Sequence, residues 1–364
     1  MNFRILPCLY ILVTVLLLAN CVREVDFSRE NADTGTLVVS GTFSDGPGPH
    51  RIYLSRPNDV KKKFFLPVTG AQVTLTDDGG NRYEYQEVIA PADSSRYYQL
   101  TQVQGIPGHV YSLEVRLPDG TLYRSRPQVM PERIPADSAT VRGEWYTTIN
   151  SNGTVVREPY AYAYVHTTCP ANTAGRYLRW DAESVHIFNE IFKIYYPIPP
   201  PALQCFIPSQ LSAQTLPLAK LSDFQPGAKI TEQVGKRYIN FAFELRVGIC
   251  VYQRSIGREA YEYWQKIDQL IEPSGTILDA PPAQVLGNVE NLTNPGQPAL
   301  GFFEVAAIDT VRVFTRDDLL GDAFQINERP YCDYDWSKWP PVTHPECDKC
   351  LLLEGATLEK PYWW

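Results

Sequence analysis

The chain has 364 residues, enough for two domains, and a formal charge of −8. Its first twenty residues carry only Arg4, so the remainder stands at −9, which argues against a nucleic-acid partner and against a polybasic membrane patch. Thirty prolines and 22 tyrosines against two methionines point to β-structure with rigid loops.

Residues 1–20 are an apolar run from Ile5 to Ala19 behind one basic residue, and Cys21 follows at once. That length fits a secretory signal and falls short of the roughly 20 apolar residues of a membrane span. Leu18-Ala19-Asn20-Cys21 resembles the bacterial lipobox, although Asn20 departs from the usual small residue. The expectation is an exported protein acylated on Cys21. Two acyl chains suffice for stable anchoring, at about 0.8 kcal/mol per buried methylene.

Residues 21–35 read as a polar tether. Strands follow at Thr36–Phe43 and His50–Arg56. Gly70–Val88 is a hairpin turning at Asp78-Gly79-Gly80, since glycine reaches positive φ without strain. His109–Val129 is a second hairpin, in which Tyr111, Leu113, Val115 and Leu117 alternate toward the core. This predicts an Ig-like or transthyretin-like β-sandwich over 36–130. Pro127, Pro131 and Pro135 punctuate a linker, and a larger β-rich domain with one clear helix occupies 138–364. Its long strands are predicted at Ala139–Ile149, Pro159–Thr168, Arg176–Phe188 and Arg237–Ser255. The proline-dense segment Ile194–Pro226 is expected to be an excursion, because proline removes ladder donors. A helix over about 256–271 starts behind Ser255 as N-cap and ends at Pro273 and Gly275. It carries a stripe of Tyr261, Trp264, Ile267, Asp268 and Ile271, which is expected to pack on a sheet.

Cys8 leaves with the signal and Cys21 takes lipid. Cys169, Cys205, Cys250, Cys332, Cys347 and Cys350 remain, an even number that in an exported chain reads as up to three disulfides. Cys205 is expected to bond Cys169 or a cysteine further on, and Cys250 is the preferred distant partner of the tail. The terminal Tyr362, Trp363 and Trp364 are expected to dock on the body. Cys332, His344, Cys347 and Cys350 form an alternative zinc set, and Cys347-x-x-Cys350 an alternative redox pair. Neither is favoured by export, and no metal or cofactor is expected.

Tyr160, Tyr162 and Tyr164 share one strand face opposite Ala161, Ala163 and Val165. They suit cross-strand pairing, or stacking on a sugar or another protein. Tyr195 and Tyr196 precede a proline run and form a candidate binding loop. Asp137-Ser138-Ala139 and Asp309-Thr310-Val311 resemble an Asp-(Ser/Thr)-apolar O-glycosylation motif, with Ser138 the better placed. Asp77-Asp78 and Asp317-Asp318 read as turn residues, and His166 as a packed or edge residue. The five histidines lie in no HExxH or nucleophile–base motif, and there is no G-x-S-x-G, so enzymatic activity is not expected.

Three segments carry a family resemblance: Glu259–Ile267, Gly275–Ala306 ("GTILDAPPAQVLGNVENLTNPGQPALGFFEVA") and Cys347–Trp364 ("CDKCLLLEGATLEKPYWW"). Their order and content resemble the DUF4249 lipoproteins of Bacteroidetes. The resemblance implies an outer-membrane lipoprotein commonly paired with a TonB-dependent β-barrel transporter, and it implies no catalytic or ligand residues. A non-catalytic accessory or ligand-capture subunit is therefore the expected function, with a structural or adhesive surface protein as the alternative. The partly acidic Val22–Asp26 loosely resembles a surface-export signal, which favours the cell surface over the periplasmic face.

Overall fold

The structure is a computed structural model; it describes residues 35–57, 66–90, 95–150, 152–190, 202–213, 215–271, 285–315, 347 and 349–364. The N-terminal half contributes β1 (Val38–Ser44), β2 (His50–Arg56), β3 (Leu66–Pro67), β4 (Gln72–Asp77), β5 (Arg82–Glu84), β6 (Gln86–Ile89), β7 (Arg96–Leu100), β8 (Val110–Arg116), β9 (Leu122–Ser125) and β10 (Gln128–Val129). After it come β11 (Ser138–Ile149), β12 (Val155–Thr168), β13 (Tyr177–Asn189), β14 (Gln204–Ser209), β15 (Leu218–Lys220), β16 (Lys229–Tyr238), β17 (Val247–Ile256), helix α1 (Arg258–Ile271), β18 (Val289–Asn291) and β19 (Leu300–Phe314).

The protein is mainly β, as expected, with three sheets and one α-helix among the described residues. A ten-stranded sheet runs in the order β14-β13-β17-β19-β1-β2-β7-β6, with β15 on β13 and β3 on β2. A six-stranded sheet (β18-β9-β8-β4-β5, with β10 on β8) and a three-stranded sheet (β11-β12-β16) complete the architecture.

β19 joins the two halves. Its first part pairs in parallel with β1, and its second part pairs antiparallel with β17 on the other edge. Successive odd residues of a strand share one face. Phe303, Val305 and Ala307 enter the core under the six-stranded sheet, whereas Val311 and Val313 pack on the core under the three-stranded sheet. Asp309 stands between them on the same face, and its Oδ2 accepts the Ala136 amide at 2.8 Å.

The proline-punctuated segment is therefore not a free linker. Met130 and Ile134 are buried in it. The Ile134 amide donates to Ser255 Oγ at 3.0 Å, and its carbonyl accepts from Gln253 Nε2 at 2.8 Å. Proline's missing donors cost nothing here, because Gln253 and Asp309 bind the remaining polar groups.

The N-terminal sandwich is not complete within 36–130. β18 pairs with β9, β1 needs β19, and the core includes Val289, Ala299, Phe303, Val305 and Ala307. Both hairpins form as predicted, β4–β5 and β8–β9, and Tyr111, Leu113, Val115 and Leu117 are buried.

Three local expectations need correction. The run Arg237–Ser255 is two strands, because Asn240 turns the chain: its side chain accepts the Ala242 amide and caps a 3-10 turn at Phe241–Phe243. The proline-rich excursion contains two short strands, β14 and β15. Both lie on the outer edge of β13, the place where proline costs no ladder bond. Ser255 is the penultimate residue of β17 rather than a helix N-cap; the first helical bond runs from the Tyr261 amide to the Gly257 carbonyl at 3.1 Å. Pro273 and Gly275 lie outside the described residues.

Helix α1 packs on the outer face of the large sheet through its first half. Tyr261 stacks on Tyr177 and Tyr263 on Phe302, each at 4.8 Å between centroids, while Leu270 and Ile271 are exposed. Beneath it is a charged network. Arg179 pairs with Glu304 at 3.1 Å and with Asp181 at 2.5 Å, Arg254 also pairs with Asp181, and Trp264 Nε1 donates to Glu304 at 2.7 Å. Glu304 is nearly inaccessible, so its charge is tolerable only because these donors surround it.

Candidate functional site

The three-stranded sheet exposes a face built by alternation. Tyr160, Tyr162 and Tyr164 of β12 point outward, and Ala161, Ala163 and Val165 point into the core. The register places Glu144, Arg142 and Thr140 of β11 opposite these tyrosines, and Tyr238, Lys236 and Gln233 of β16 on the other side. Tyr160 meets Tyr146 and Tyr238 edge-on, at 5.8 and 5.7 Å between centroids. The Lys236 ammonium lies 3.9 Å from the Tyr146 ring centroid and 4.8 Å from that of Tyr160. Tyrosine pairing across strands is thus real, and Lys236 covers part of the ring faces it leaves. His166 shares this face and bonds both neighbours, Nε2 with Thr140 Oγ1 at 2.8 Å and Nδ1 with Thr231 Oγ1 at 2.9 Å.

At the strand start, Asp137 accepts from Lys229 Nζ at 2.8 Å and from Thr168 Oγ1 at 2.6 Å. These bonds hold its carboxyl below the usual aspartate range. Toward the hairpin end of β11 and β12, Trp145, Ile149 and Val155 are exposed.

The inward face of β16 carries two charges that burial opposes. Desolvation raises the Glu232 carboxyl, and it pushes Arg237 down to about 10. Arg237 Nη1 donates to Ser184 Oγ at 3.1 Å and to Ser209 Oγ, and its guanidinium sits 5.5 Å from the Phe243 ring centroid.

A family profile described as "Domain of unknown function (DUF4249)" matches residues 22–312. The chain belongs to the DUF4249 family. No curated protein matches its sequence. The DUF4249 match spans both sandwiches, the tyrosine face and α1. It stops within β19, before the cysteine-containing tail.

In this DUF4249 chain the tail is stapled to the large sheet. Cys350 bonds Cys205 across 145 residues of sequence, with the Cα atoms 6.0 Å apart. Thr357 bridges Phe206 at the edge of β14, which brings Cys350 to Cys205 rather than to Cys250. Cys347 is disulfide-bonded as well. Both tail cysteines are therefore unavailable as zinc thiolates, and they do not pair with each other as a redox C-x-x-C.

Cys169 and Cys250, expected in disulfides, are buried free thiols. Cys250 faces Trp363 in an apolar cluster away from the staple, and burial pushes its thiol up to about 11. Trp363 docks as expected and is buried, whereas Tyr362 is exposed. Gly248 makes the docking possible, since a Cβ there would lie 2.7 Å from Trp364 and 2.9 Å from Trp363.

Of the other sequence-derived candidates, Ser138 is exposed at the start of β11. Thr310 is exposed too, on the outer face of β19, rather than buried. Asp77 closes its turn on Asn81, and Asp78 bonds His109. Cys21, Tyr195, Tyr196, Asp317, Asp318, Cys332 and His344 lie outside the described residues. Among the described residues no group of three His, Cys, Asp or Glu side chains is arranged to hold a metal, and no helix is long and apolar enough to cross a membrane. Lys236 is a residue that sequence reading missed. Its signal was present, because Lys236 and Tyr238 alternate on the outward register of a strand. Arg237 left no such signal.

Proposed function

We propose that this protein is a non-catalytic, lipid-anchored outer-membrane subunit that captures a ligand for a TonB-dependent transporter. The observation that carries the capture reading is the outward face of the three-stranded sheet. There Tyr146, Tyr160, Tyr162 and Tyr238 come from three strands and surround Lys236. Such a face offers apolar ring area, hydroxyls and a cation with little conformational entropy to lose on binding. The anchor reading rests on the apolar run ending at Cys21, and the transporter reading on the family resemblance.

The test is purification from detergent-solubilised membranes of the native host. A large β-barrel protein is expected to copurify with the wild-type chain, and Cys21→Ala is expected to abolish membrane retention and palmitate labelling. Isolation of the chain alone under mild detergent would reject the transporter partnership. The exposed hairpin tip at Trp145, Ile149 and Val155 favours the second reading, an adhesive surface protein, which would retain cell-surface exposure without a barrel partner.

A further inference from the structure

The three-stranded sheet ends on β11, and that edge is long and bare. The Asn150 amide donates to the Thr154 carbonyl at 3.0 Å, which sets the phase of the ladder. Even-numbered residues of β11 therefore bond β12, and the amides and carbonyls of the odd-numbered ones point away from it. Among the described residues nothing bonds the backbone of Ala139, Val141, Gly143, Thr147 or Ile149 on that outer side. Folds ordinarily blunt such an edge with a proline, a bulge, a short strand or a cover. Other edges here follow that rule. β16, across the sheet, is bulged where it pairs with β12 and is bridged by Ser212 at Lys236. β14 contains Pro208 and is bridged by Thr357 at Phe206. β5 and β6 are only three and four residues long. β11 has twelve residues in unbroken register with β12 and contains no proline.

The middle of this edge is self-complementary. Arg142 and Glu144 flank Gly143 on the outward face, and both are exposed. Arg142 lies over the Tyr164 ring, 5.8 Å from its centroid, and Glu144 meets the Tyr164 hydroxyl. Among the described residues neither has an ion-pair partner. Two antiparallel copies of β11 related by a two-fold axis at Gly143 place Arg142 of each opposite Glu144 of the other, so two ion pairs form. An axis at residue 142 would set Arg142 against itself, and an axis at residue 144 would set Glu144 against itself. Axes further along the strand form no ion pair and shorten the overlap. Like charges directly opposite are unfavourable, so charge selects the axis at Gly143. That axis also brings odd residues opposite odd ones, which is the pairing their outward backbone groups need. Nearly the whole strand then overlaps, with Ser138 facing Thr148.

We infer that a second copy of this chain pairs with the β11 edge, so that two three-stranded sheets form one continuous sheet about a two-fold axis at Gly143. The interface is isologous, each copy contributing the same backbone groups and the same Arg142 and Glu144. It joins the two tyrosine faces into one, with the two β12 strands about 14 Å apart across the paired β11 strands. A ligand long enough to reach both β12 strands is then held by two faces at once. The pairing rests on the edge and its charges, and depends neither on the capture reading nor on a transporter.

The experiment is size-exclusion chromatography with light scattering on the full chain in excess detergent, with the protein mass read separately from the micelle. The mass of two chains is expected at high concentration, and dilution gives the dissociation constant. Arg142→Glu sets acids opposite each other across the axis and is expected to weaken the dimer by about tenfold or more, and Glu144→Arg likewise with cations. The double variant restores opposite charges in both pairs and is expected to dimerise within about threefold of the wild type. Both positions are exposed, so folding, read by circular dichroism, is expected to be unchanged. A chain that is monomeric at every concentration would overturn the assignment. So would a dimer that survives both single swaps, as one held by a shared micelle would, or a double variant that stays monomeric. Loss of barrel copurification in the single swaps of a monomeric chain would give the edge to the transporter instead. Mass and copurification are separate readouts, so either proposal can fail alone.

Discussion

The two sandwiches share one large sheet but close it differently. The N-terminal core is covered by six strands and is filled mainly by apolar side chains, among them Phe43, Leu54, Leu75, Leu113 and Phe303. Its ion pairs, such as Glu114 with Arg124 at 2.8 Å, lie on the surface. The C-terminal core is covered by three strands and admits polar groups. Trp180 Nε1 and Thr167 Oγ1 both donate to buried Gln253, and Arg237 reaches in from the open side. A wide cover sheet excludes water and stabilises the fold. A narrow one leaves an edge and a face on which polar chemistry can be placed.

The comparison is broken most severely at the strand they share. Gly301 adopts φ +81°, and a Cβ there would lie 2.1 Å from the Val39 carbonyl oxygen. Gly301→Ala is expected to destabilise by more than about 4 kcal/mol and to unfold both halves together, read by circular dichroism on heating. A variant in which one sandwich keeps its own cooperative transition would show that the halves fold independently.

Cys350→Ser sharpens the contrast, because it acts on one half. Loss of the Cys205 staple is expected to cost about 2–4 kcal/mol and to release the tail. A red shift of tryptophan emission from Trp363 and Trp364 would report that release. An unchanged emission maximum and melting temperature would mean that the aromatic docking suffices without the bond.

Acid challenges both halves alike. Arg124, by hydrogen bond, holds Glu114 below the usual range. Burial would raise Asp181, but the charges of Arg179 and Arg254 outweigh it and hold it low. Folded values below the unfolded ones mean that this stability is present above about pH 4 and is lost as the pH falls through the folded values. Urea midpoints measured from pH 7 down to 3 are expected to fall most steeply below pH 4; a flat profile there would contradict the pairing.

The smallest effect on stability is expected on the tyrosine face. Tyr162→Ala should change stability by less than about 1 kcal/mol, since its ring is half-buried and meets Tyr160 on its own strand and Lys236 on β16. If that face captures ligand, the same variant loses capture in a pull-down with the native ligand pool. A large drop in melting temperature would instead make the face a structural element.

Local pattern determined the strands, the two hairpins, the inward set Tyr111-Leu113-Val115-Leu117 and the outward tyrosines. Each depends only on two-residue alternation and on glycine at a turn. The helix was legible from a different period, the i, i+3, i+4 stripe of Tyr261, Trp264, Ile267 and Ile271, although its N-cap was not: Ser255 is taken by the Ile134 amide, a bond 121 residues away in sequence. Tertiary structure alone decided where the halves divide. Val305 and Val311 are equivalent in pattern, yet they enter different cores because residues 130–136 cross β19 at Asp309. It also decided that Cys350 meets Cys205 while Cys250 stays a thiol, and that Arg237 rests on two serine hydroxyls while Arg179 has two acids. Pairings and counter-ions depend on which strand edges become neighbours, and that is set by packing between segments far apart in the chain.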